Sequence, residues 1–585
     1  MDLDNDRGIF LVTVIRSILM RMMYTDKYEM VDSSMSDSNV GARKGMNIRN
    51  HIFIINGIIN NVLQDKSKAV DVQILDYKQC FDSMWLEDTL NDLYDAGIQD
   101  DTLAVLYEAN KNVKVAVKTP HGLTERRNVK EIILQGDVFG PIECSVSVDT
   151  YGKECTQEDK HMYIYKDEVK VPPLAMVDDL LIVSECGYKS AMVNAFINTK
   201  SNMKKLQFGT KKCHKMHVGK KKTSEVCPEL YVDEWKLSEV TEIETGTLEI
   251  ESIDEYSGMQ KMEEKYLGDI LSVDGKNVKN IMARKNRSIG TINQIMGILR
   301  EIYYGKYYFV VAKVLRSALF LSSLLTNCEA WYGVSKADRD MLEQADETLL
   351  RNILECPVTT PKEMLYLELN CLPIRYILMK RRLNFLYYIL VQKKTSLMYT
   401  FFQAQLNDSS KGDWSLTVQE DLNHLGIHSP INELTKIPES AYIKMINDRI
   451  ERESWKYLNN EKGEHDKVKH IDHSKVEMQD YLSPNCLTNE ESKFIFLLRS
   501  RMLDVKCNFR GRYQHSNTVC PVCMTTEDSQ AHILACAELD DVKQLVTGLP
   551  EYMHLFSESF SEKVEISRII KARFKRRKEI IKKRK

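Results

Sequence analysis

Two acidic stretches hold the residues best suited to chemistry. The apolar run Ile74-Leu75 leads into Asp76, and Ala175-Met176-Val177 leads into Asp178 and Asp179. Each run is short enough to be a buried strand, so each strand would deliver its carboxylates to its end. Unpaired buried carboxylates are costly, and a bound cation is the usual compensation. Aspartates at adjacent strand ends could hold two divalent cations for phosphoryl transfer, and hard oxygen ligands favour Mg²⁺ over zinc.

The segment between these stretches strengthens that interpretation, because a strand that ends in Asp-Asp is commonly just a turn. It reads Leu134-Gln135-Gly136-Asp137-Val138-Phe139-Gly140-Pro141. In this order the three stretches resemble the reverse transcriptases of non-LTR (LINE-type) retrotransposons. That family has an aspartate followed five residues later by an aromatic and Asp, then Arg-Gln-Gly-Asp-Pro-Leu-Ser-Pro, then aromatic-Ala-Asp-Asp. The resemblance spans nearly the whole chain.

The resemblance implies an α+β fold of the right-hand polymerase type. Fingers and a palm with a small antiparallel sheet would be followed by a helical thumb, a helical C-terminal region and a small zinc knuckle. Apolar residues at helical spacing after the palm, such as Ile281, Ile289 and Ile292, favour helices there. The expected domains are residues 1–275 (fingers and palm), 276–395 (thumb), 396–484 (helical or linker region, with 472–480 as a linker), 485–548 (zinc-knuckle region) and 549–585 (basic tail).

The implied activity is RNA-directed DNA polymerisation, in which deoxynucleotides are added to a primer 3′-hydroxyl by two-metal-ion catalysis. Asp76 and Asp178 would coordinate the two Mg²⁺, and Asp179 would support the pair electrostatically. The implied partners are an RNA template, a DNA primer or target, and deoxynucleoside triphosphates.

Four further positions match nucleotide-binding positions of the family. The backbone of Tyr77 would lie under the triphosphate. The ring of Phe81, at the steric-gate position, would stand where a ribose 2′-hydroxyl would go and so favour deoxynucleotides. Gln135 and Gly136 would shape the loop against the templating base.

Two basic positions complete the predicted site. Residues 208–216 resemble the post-catalytic lysine loop, with Lys212 at the lysine position, where it could act as a general acid on the pyrophosphate leaving group. Residues 39–50 resemble the family's Gly-Phe-Arg-x-Gly-Arg-Ser loop, and Arg43 could meet triphosphate or template phosphates. A solvated loop is the alternative for both. The run Lys380-Arg381-Arg382 in the thumb could track a duplex backbone or only solubilise its helix.

The sequence departs from the family pattern at positions that bear on activity. The replacements are Leu134 for Arg, Val138 for Pro, Gly140 for Ser, and Met176-Val177 for the aromatic-Ala pair. The missing Arg removes a charge near the template or triphosphate, whereas the retained aspartates favour an active enzyme; Asp82 and Asp137 are expected to be structural. Two alternatives stay open: a weak or inactive retroelement remnant that only binds nucleic acid, and another palm enzyme, such as an RNA-dependent RNA polymerase or an intron maturase.

A second chemical cluster lies near the C-terminus. Soft thiolates and one imidazole are spaced as in a closed tetrahedral zinc site, which would fold a segment too small for its own core. The four predicted zinc ligands are Cys520, Cys523, His532 and Cys536, with Cys507 and His515 as rivals. Four protein ligands argue for a structural ion. LINE-type enzymes carry a similar knuckle behind the thumb, which implies contact with RNA or target DNA.

The net charge of −3 hides a strongly uneven distribution. Residues 200–222 hold nine lysines, residues 571–585 hold ten Lys and Arg against one Glu, and residues 225–264 hold thirteen acids against two lysines. Phosphate binding depends on local charge, so the average is uninformative. The C-terminal run is a nucleic-acid tail or a nuclear address, and the expected location is the nucleus and cytoplasm.

Composition and processing signals set further bounds. The start of the chain lacks the layout of a signal peptide, and the 14 cysteines suit reduced thiols in the cytosol or nucleus. No membrane partner is expected, because the most apolar stretch, residues 308–326, is interrupted by Lys313 and Arg316 and favours a buried helix. LINE-type proteins commonly carry an endonuclease, but here the chain starts within the fingers and 49 residues follow Cys536. We therefore expect a partial copy of an element, or a sequence that lacks its N-terminal part, with target cleavage supplied by another protein.

Overall fold

The computed structural model of the protein describes residues 10–130, 133–158, 162–185, 188–209, 212–219, 231–232, 235–236, 238–240, 263–512, 518–539, 552–557 and 559–584. The chain divides into two compact units. Unit 1 comprises Met1–Asn280, Glu329–Val334 and Phe385–Leu422; unit 2 comprises Ile281–Cys328, Ser335–Asn384 and Asn423–Lys585. Residues 385–422, predicted as the end of the thumb and the start of the next region, thus belong with the predicted fingers and palm. Most of the acidic stretch 225–264, together with His515, lies outside the described residues.

The strands of the described residues all belong to unit 1. In chain order they are β1 (Ala69–Asp76), β2 (Asn112–Val115), β3 (Lys118–Thr119), β4 (Gly122–Leu123), β5 (Arg127–Lys130), β6 (Tyr163–Tyr165), β7 (Val169–Val171), β8 (Leu174–Met176), β9 (Asp179–Glu185), β10 (His214–Gly219), β11 (Tyr231–Val232), β12 (Trp235–Lys236), β13 (Ser238–Val240), β14 (Glu263–Tyr266) and β15 (Asp269–Ser272).

Five of these strands form the main sheet, in the order β13-β10-β1-β9-β8. The central strand β1 is antiparallel to both β10 and β9, and β8 is antiparallel to β9. The remaining described strands pair as short two-stranded sheets. The predicted small antiparallel sheet is confirmed, and β13, which runs parallel to β10, is an addition to it.

The helices of the described residues are α1 (Val14–Ser34), α2 (Ile48–Gln64), α3 (Cys80–Ser83), α4 (Leu86–Asp95), α5 (Asp101–Asn110), α6 (Gly140–Glu158), α7 (Tyr188–Met203), α8 (Val278–Glu301), α9 (Tyr308–Leu315), α10 (Ser322–Leu324), α11 (Lys336–Leu354), α12 (Lys362–Leu369), α13 (Ile374–Leu390), α14 (Leu397–Asn407), α15 (Trp414–His424), α16 (Glu439–Gly463), α17 (Asn489–Arg499), α18 (Gln530–Ala535) and α19 (Phe560–Arg584). A π-helical turn, Arg316–Leu321, connects α9 to α10.

The core of unit 1 fixes the end of β1. Period-two alternation sends Leu75 of β1 into an apolar cluster with Leu180 and Ile182 of β9. Helices α6 and α7 close this cluster with Cys144, Val148, Val193 and Ile197. Because β9 and two helices share this cluster with β1, the strand end that carries Asp76 is held on several sides.

An aromatic cluster explains why residues 385–422 belong to unit 1. The ring of Phe53 in α2 lies 5.6 Å from that of Phe401 and 5.2 Å from that of Trp414. Near them, the buried ammonium of Lys166, in the β6–β7 turn, lies 2.9 Å from a carboxylate oxygen of Asp413. These contacts join residues far apart in sequence, which local patterns do not reveal.

Unit 2 is helical over its described residues, as the apolar periodicity predicts. The apolar stretch 308–326 forms α9, the π-helical turn and α10. Arg316, which interrupts that stretch, is buried with Asp346 in a two-point contact of 2.7 and 2.6 Å. None of the described helices is both long and apolar enough to cross a membrane.

Two features of unit 2 differ from the sequence-based expectation. Arg382 is buried, and Arg381 donates from Nη1 to the carbonyl of Leu325 at 2.7 Å, so the thumb run is not a free basic face. Residues 472–480 are not an open linker, because the imidazole of His473 is buried against Glu368.

A buried ionic network forms around Glu368. Its carboxylate lies 3.0 Å from Nε2 of His473 and 3.1 Å from Nε of Arg499, and it accepts a hydrogen bond from Tyr481. All four side chains are buried. The network joins α12, α17 and the segment between α16 and α17, so it stabilises unit 2 over long sequence separations.

Candidate active site

The sheet register brings the three predicted catalytic aspartates to one edge. Asp76 is the last residue of β1 and pairs with Asp179, the first residue of β9. Met176 of β8 also pairs with Asp179, so Val177 and Asp178 form the two-residue turn between them. Directly opposed residues of antiparallel strands have Cα atoms about 4.5–5.5 Å apart. The three aspartates are only partly buried, whereas the strand residues before Asp76 are buried.

The turn that carries Asp178 has an unusual backbone. Val177 has φ +58°, a left-handed conformation that costs a β-branched residue roughly 1–3 kcal/mol. The segment before α2 holds this turn in place: Val40 N–H donates to Ala175 O at 2.9 Å, and Ala175 N–H donates to Ser38 O at 3.0 Å. Gly41 permits this approach, because a Cβ at that position would lie 2.5 Å from Val177 N.

The structure places Lys212 beside Asp76. Its Nζ is 3.5 Å from Oδ2 of Asp76, and 56% of its side chain is exposed. The loop is docked on the strand end, since Gly209 N–H donates to Asp76 O at 2.7 Å and the ring of Phe208 stacks on that of Tyr77 at 4.5 Å. The positively charged amino group of Lys212 therefore lies beside the edge that carries the three aspartates.

Each of the predicted nucleotide-binding residues is packed against, or hydrogen-bonded to, other parts of unit 1. Tyr77 is anchored by its hydroxyl, 2.8 Å from Ser201 Oγ. Phe81 packs, partly exposed, against the apolar cluster under the sheet. The carbonyl of Gln135 accepts a hydrogen bond from Phe10 N–H at 2.9 Å, and Gly136 adopts φ +117° against that same segment. The roles of these residues remain predictions.

The structure gives Arg43 and Asp137 structural contacts. Only 5% of the side chain of Arg43 is exposed. Its Nε lies 2.8 Å from Asp32 Oδ1, and Nη1 donates to Ser36 O at 2.6 Å and to Asn39 O at 3.0 Å. These bonds occupy the guanidinium, so the structure does not bring Arg43 to the aspartates as a phosphate ligand. Asp137 accepts from Arg16 Nε at 2.7 Å, a long-range rather than local contact. The side chain of Asp82 lies outside the described residues.

Sequence patterns did not reveal His51, a buried residue of α2 that links two parts of the site. Its Nε2 lies 2.9 Å from Ser38 O and its Nδ1 lies 3.0 Å from the hydroxyl of Tyr266. Burial lowers the pKa of His51 to about 4. The neutral ring therefore donates a hydrogen bond from Nε2 to the Ser38 carbonyl and accepts a hydrogen bond from the Tyr266 hydroxyl at Nδ1. Burial, together with the negative charge of Asp179, raises the pKa of Tyr266.

His51→Leu is expected to lower the free energy of unfolding by about 1–3 kcal/mol, because two buried polar partners lose their hydrogen bonds. Since Ser38 O also holds Ala175, the rate of primer extension at saturating nucleotide should fall as well. Urea unfolding and single-turnover extension measure the two effects. His428→Leu, at an exposed position, is the control. If both variants have the same free energy of unfolding and the same extension rate, His51 does not link the two parts of the site.

The four predicted zinc ligands converge in unit 2. The ligand atoms of Cys520, Cys523, His532 and Cys536 all lie within 4.8 Å of one another. Tetrahedral Zn–S bonds of 2.3 Å place sulfur atoms about 3.8 Å apart, so the donors fit a zinc ion with small adjustments. Burial and the neighbouring Cys520 raise the pKa of Cys536 to about 12. Cys507 does not belong to the group.

Helix α19 packs against the segments that carry the four predicted zinc ligands. The prediction of a basic tail did not include these contacts. Arg573 donates from Nε to Ile533 O at 2.8 Å, and Arg577 donates from Nη2 to Asp528 Oδ2 at 2.6 Å. Arg584 donates from Nη1 to Val522 O at 2.8 Å. Arg573 and Arg577 are buried, and the exposed Arg584 also bonds to the chain near the ligands. These three arginines of the basic run support the segments that carry the cysteine and histidine ligands.

Comparison with known proteins identifies the domain that contains the aspartates. Residues 5–271 match the family model "Reverse transcriptase (RNA-dependent DNA polymerase)". The protein therefore carries a reverse transcriptase domain, which includes the aspartate edge and the lysine loop. This match supports RNA-directed DNA polymerase activity.

Solved structures similar to the chain include three from telomerases. Telomerase from Candida albicans with a TWJ fragment of telomeric RNA is 11% identical, with a TM-score of 0.29 over 70% of this chain and 56% of that chain. Telomerase from Candida tropicalis with the same kind of fragment is 12% identical, with a TM-score of 0.32 over 68% of this chain and 56% of that chain. The apo telomerase of that species is 11% identical, with a TM-score of 0.33 over 73% of this chain and 61% of that chain. The chain thus spans less than two thirds of those proteins. No curated protein sequence is significantly similar to it.

Proposed function

We propose that the protein is an RNA-directed DNA polymerase of a LINE-type mobile element that extends a DNA primer by two-metal-ion catalysis. The observation that carries the proposal is the register of β1 and β9, which sets Asp76 opposite Asp179 with Asp178 in the adjoining turn. The reverse transcriptase match covers all three aspartates. The order of the motifs around them supports the LINE-type assignment.

The chemistry of the carboxylate edge fits a pair of Mg²⁺ ions. Asp76 and Asp178 would hold them, because carboxylate oxygens are the ligands that Mg²⁺ prefers. Bound there, the ions would lower the barrier for attack by the primer 3′-hydroxyl and hold the nucleoside triphosphate. Asp179 would add negative charge to the pair from its position opposite Asp76.

The remaining residues would position the substrates and move a proton. Lys212, beside Asp76, would donate a proton to the departing pyrophosphate. The Tyr77 backbone, held by the stack on Phe208, would support the triphosphate. Gln135 and Gly136 would lie against the templating base, and Phe81 would exclude a ribose 2′-hydroxyl.

The direct test is extension of a DNA primer on an RNA template by purified full-length protein. We expect incorporation that depends on Mg²⁺ and on the sequence of the template. A folded protein that binds the hybrid but incorporates nothing would overturn the proposal and favour a nucleic-acid-binding remnant. Preference for ribonucleotides would instead indicate another palm enzyme.

Phe81→Ala is expected to relax selection against ribonucleotides by at least about tenfold, since the ring that would clash with the 2′-hydroxyl is removed. The measurement is the ratio of kcat/KM for a deoxynucleotide to that for the matching ribonucleotide. Phe196→Ala, which also removes a partly buried phenylalanine packed on the same cluster, is the control for general loosening. An unchanged ratio in Phe81→Ala would exclude the steric-gate role.

We further propose that Cys520, Cys523, His532 and Cys536 hold one structural zinc ion. Purified protein prepared without chelators should contain about one zinc per chain, and Cys523→Ser should lose it and unfold at lower temperature. Cys507→Ser, a nearby cysteine outside the group, should keep the metal. A metal-to-protein ratio near zero in the wild type would refute the site.

A further inference from the structure

An exposed aromatic loop stands out on unit 2. It connects α8 to α9, and 97% of Tyr304 and 52% of Tyr307 are exposed. Lys306 lies between them and Arg300 just before them, both exposed. Aromatic rings contribute much of their stabilisation by being buried, so two exposed tyrosines flanked by basic residues indicate a surface that binds something.

The backbone of this loop is firmly anchored. Asn489, the first residue of α17, donates from its side chain to Tyr303 O and, at 3.4 Å, to Gly305 O. The ammonium of Lys493 lies 4.5 Å from the ring centre of Tyr303 and 4.5 Å from that of Tyr308. The exposed rings of Tyr304 and Tyr307 therefore project from a fixed base.

A stripe of lysines continues from the loop along α19. Beside Asn489, Glu490 lies 2.9 Å from Nζ of Lys571. Positions 571, 575, 578 and 582 follow the spacing of a single helix face, and each of them is a lysine. Lys575, Lys578 and Lys582 are exposed, whereas the opposite face, with Arg573 and Arg577, is buried. The stripe thus begins beside the aromatic loop and runs to the end of α19, where Arg584 bonds to the zinc-ligand segment.

Charge favours a polyanion as the partner. Three acids lie near the loop: Glu301 is exposed at the end of α8, whereas Glu355 and Glu490 are each paired with a lysine, Lys493 and Lys571 respectively. Lys306 and three lysines of the stripe, Lys575, Lys578 and Lys582, are exposed to solvent. Rings that can stack on bases, together with lysines that can follow phosphates, are the two components of surfaces that bind single-stranded nucleic acid.

We propose that Tyr304, Tyr307 and the stripe Lys575-Lys578-Lys582 form a binding surface for single-stranded RNA on unit 2. The rings stack on unpaired bases and the lysines contact successive phosphates. The choice of RNA over DNA rests on the proposed function, in which the copied strand is RNA. The surface would hold a single-stranded part of the template on unit 2.

The test measures binding of a fluorescent single-stranded RNA 20-mer to the full chain, without nucleotides or Mg²⁺. Tyr304→Ala combined with Tyr307→Ala should weaken binding by about tenfold or more, and the matching Phe pair should restore it. Tyr94→Ala, at a half-exposed tyrosine of unit 1, is the control. Since Tyr304 is exposed, circular dichroism should show the double variant folded.

The lysine stripe is tested through salt dependence. Changing Lys575, Lys578 and Lys582 to Gln should flatten the slope of log affinity against log salt by about 2, as expected for three lost contacts to a single strand. Changing the exposed lysines Lys436, Lys444 and Lys456 to Gln should leave the slope unchanged. Equal slopes in both triple variants would overturn the role of the stripe.

Two further arms separate this inference from its alternatives. A DNA 20-mer of the same sequence is tested in parallel; if the tyrosine variants lose affinity for DNA and not for RNA, the assignment to RNA is wrong. RNA binding that is unaffected by the tyrosine pair overturns the surface altogether. Asp178→Asn, which changes only the aspartate edge, should still bind RNA. If the wild-type protein lacks polymerase activity but binds RNA through the two tyrosines, the proposed surface stands and only the proposed function is refuted.

Discussion

Asp178→Asn is expected to reduce primer extension by roughly 10³-fold or more, since a metal-polarised phosphoryl transfer gains several kcal/mol from its ions. The amide has nearly the shape of the carboxylate and can keep the turn between β8 and β9, but it removes one negative charge from the edge formed with Asp76 and Asp179. The rate of a single deoxynucleotide addition at saturating Mg²⁺ measures the effect.

A matched control exists in the neighbouring hairpin. Asp167 occupies the turn between β6 and β7, is exposed and has φ +58°, so Asp167→Asn makes the same chemical change in a similar turn. We expect it to leave the rate within about twofold of wild type, because surface substitutions of this kind change little. If Asp178→Asn extends primers as fast as Asp167→Asn, the aspartate edge is not the catalytic centre.

Glu368→Gln is expected to destabilise unit 2 by about 3–5 kcal/mol, which is the usual cost of removing one partner from a buried ion pair. The change leaves the buried guanidinium of Arg499 without its carboxylate, and it sets an amide against the donors of His473 and Tyr481. Guanidinium unfolding, followed by circular dichroism, measures the loss. Glu451→Gln, at an exposed position of α16, should change stability by less than about 0.5 kcal/mol.

The same network predicts how stability depends on pH. Burial lowers the pKa of His473, so its neutral ring donates from Nε2 to Glu368 and accepts from Lys462 Nζ at Nδ1, 3.1 Å away. Burial alone would raise the pKa of Glu368, but the charge of Arg499 and the hydrogen bonds of His473 and Tyr481 outweigh it and lower that pKa to about 2.

His473 and Glu368 both bind protons more readily in the unfolded chain, so the free energy of unfolding decreases as the pH is lowered, over two separate pH ranges. His473 costs stability as the pH falls below about 6.5, and Glu368 as the pH falls from about 4.5 towards 2. The free energy of unfolding, measured between pH 7.5 and 4, should therefore decline. His473→Gln should remove this residue's part of the first decline, and an identical profile in that variant would contradict the assignment.

Local sequence patterns were informative wherever the structure is local. The apolar runs before Asp76 and Asp178 predict strands that end on acids, and those strands are present as β1 and the β8–β9 hairpin. The spacing of Cys520, Cys523, His532 and Cys536 likewise predicts a group that does come together. In both cases the backbone periodicity of a short segment determines where the side chains point.

Contacts over long sequence separations explain what could not be predicted. His51 meets Tyr266 across 215 positions, and nothing in the helix pattern of α2 distinguishes a histidine that bridges two elements from one that merely fills the core. Arg43 belongs to a loop that resembles a phosphate-binding loop, yet its guanidinium finds Asp32 and nearby carbonyls instead. Which partner a charged side chain takes depends on the packed structure around it.

Helix α19 cannot be treated as a detachable extension. Ile566, Ile570 and Phe574 complete an apolar core shared with α17 and α18, and Arg573 bonds to the chain near the metal ligands. A chain truncated before Phe560 would lose the apolar residues that α19 contributes to that core, together with the positive charge of the helix. If such a fragment fails to bind RNA, the cause could be misfolding as much as lost charge, whereas replacing only exposed lysines keeps the core intact and isolates the electrostatic contribution.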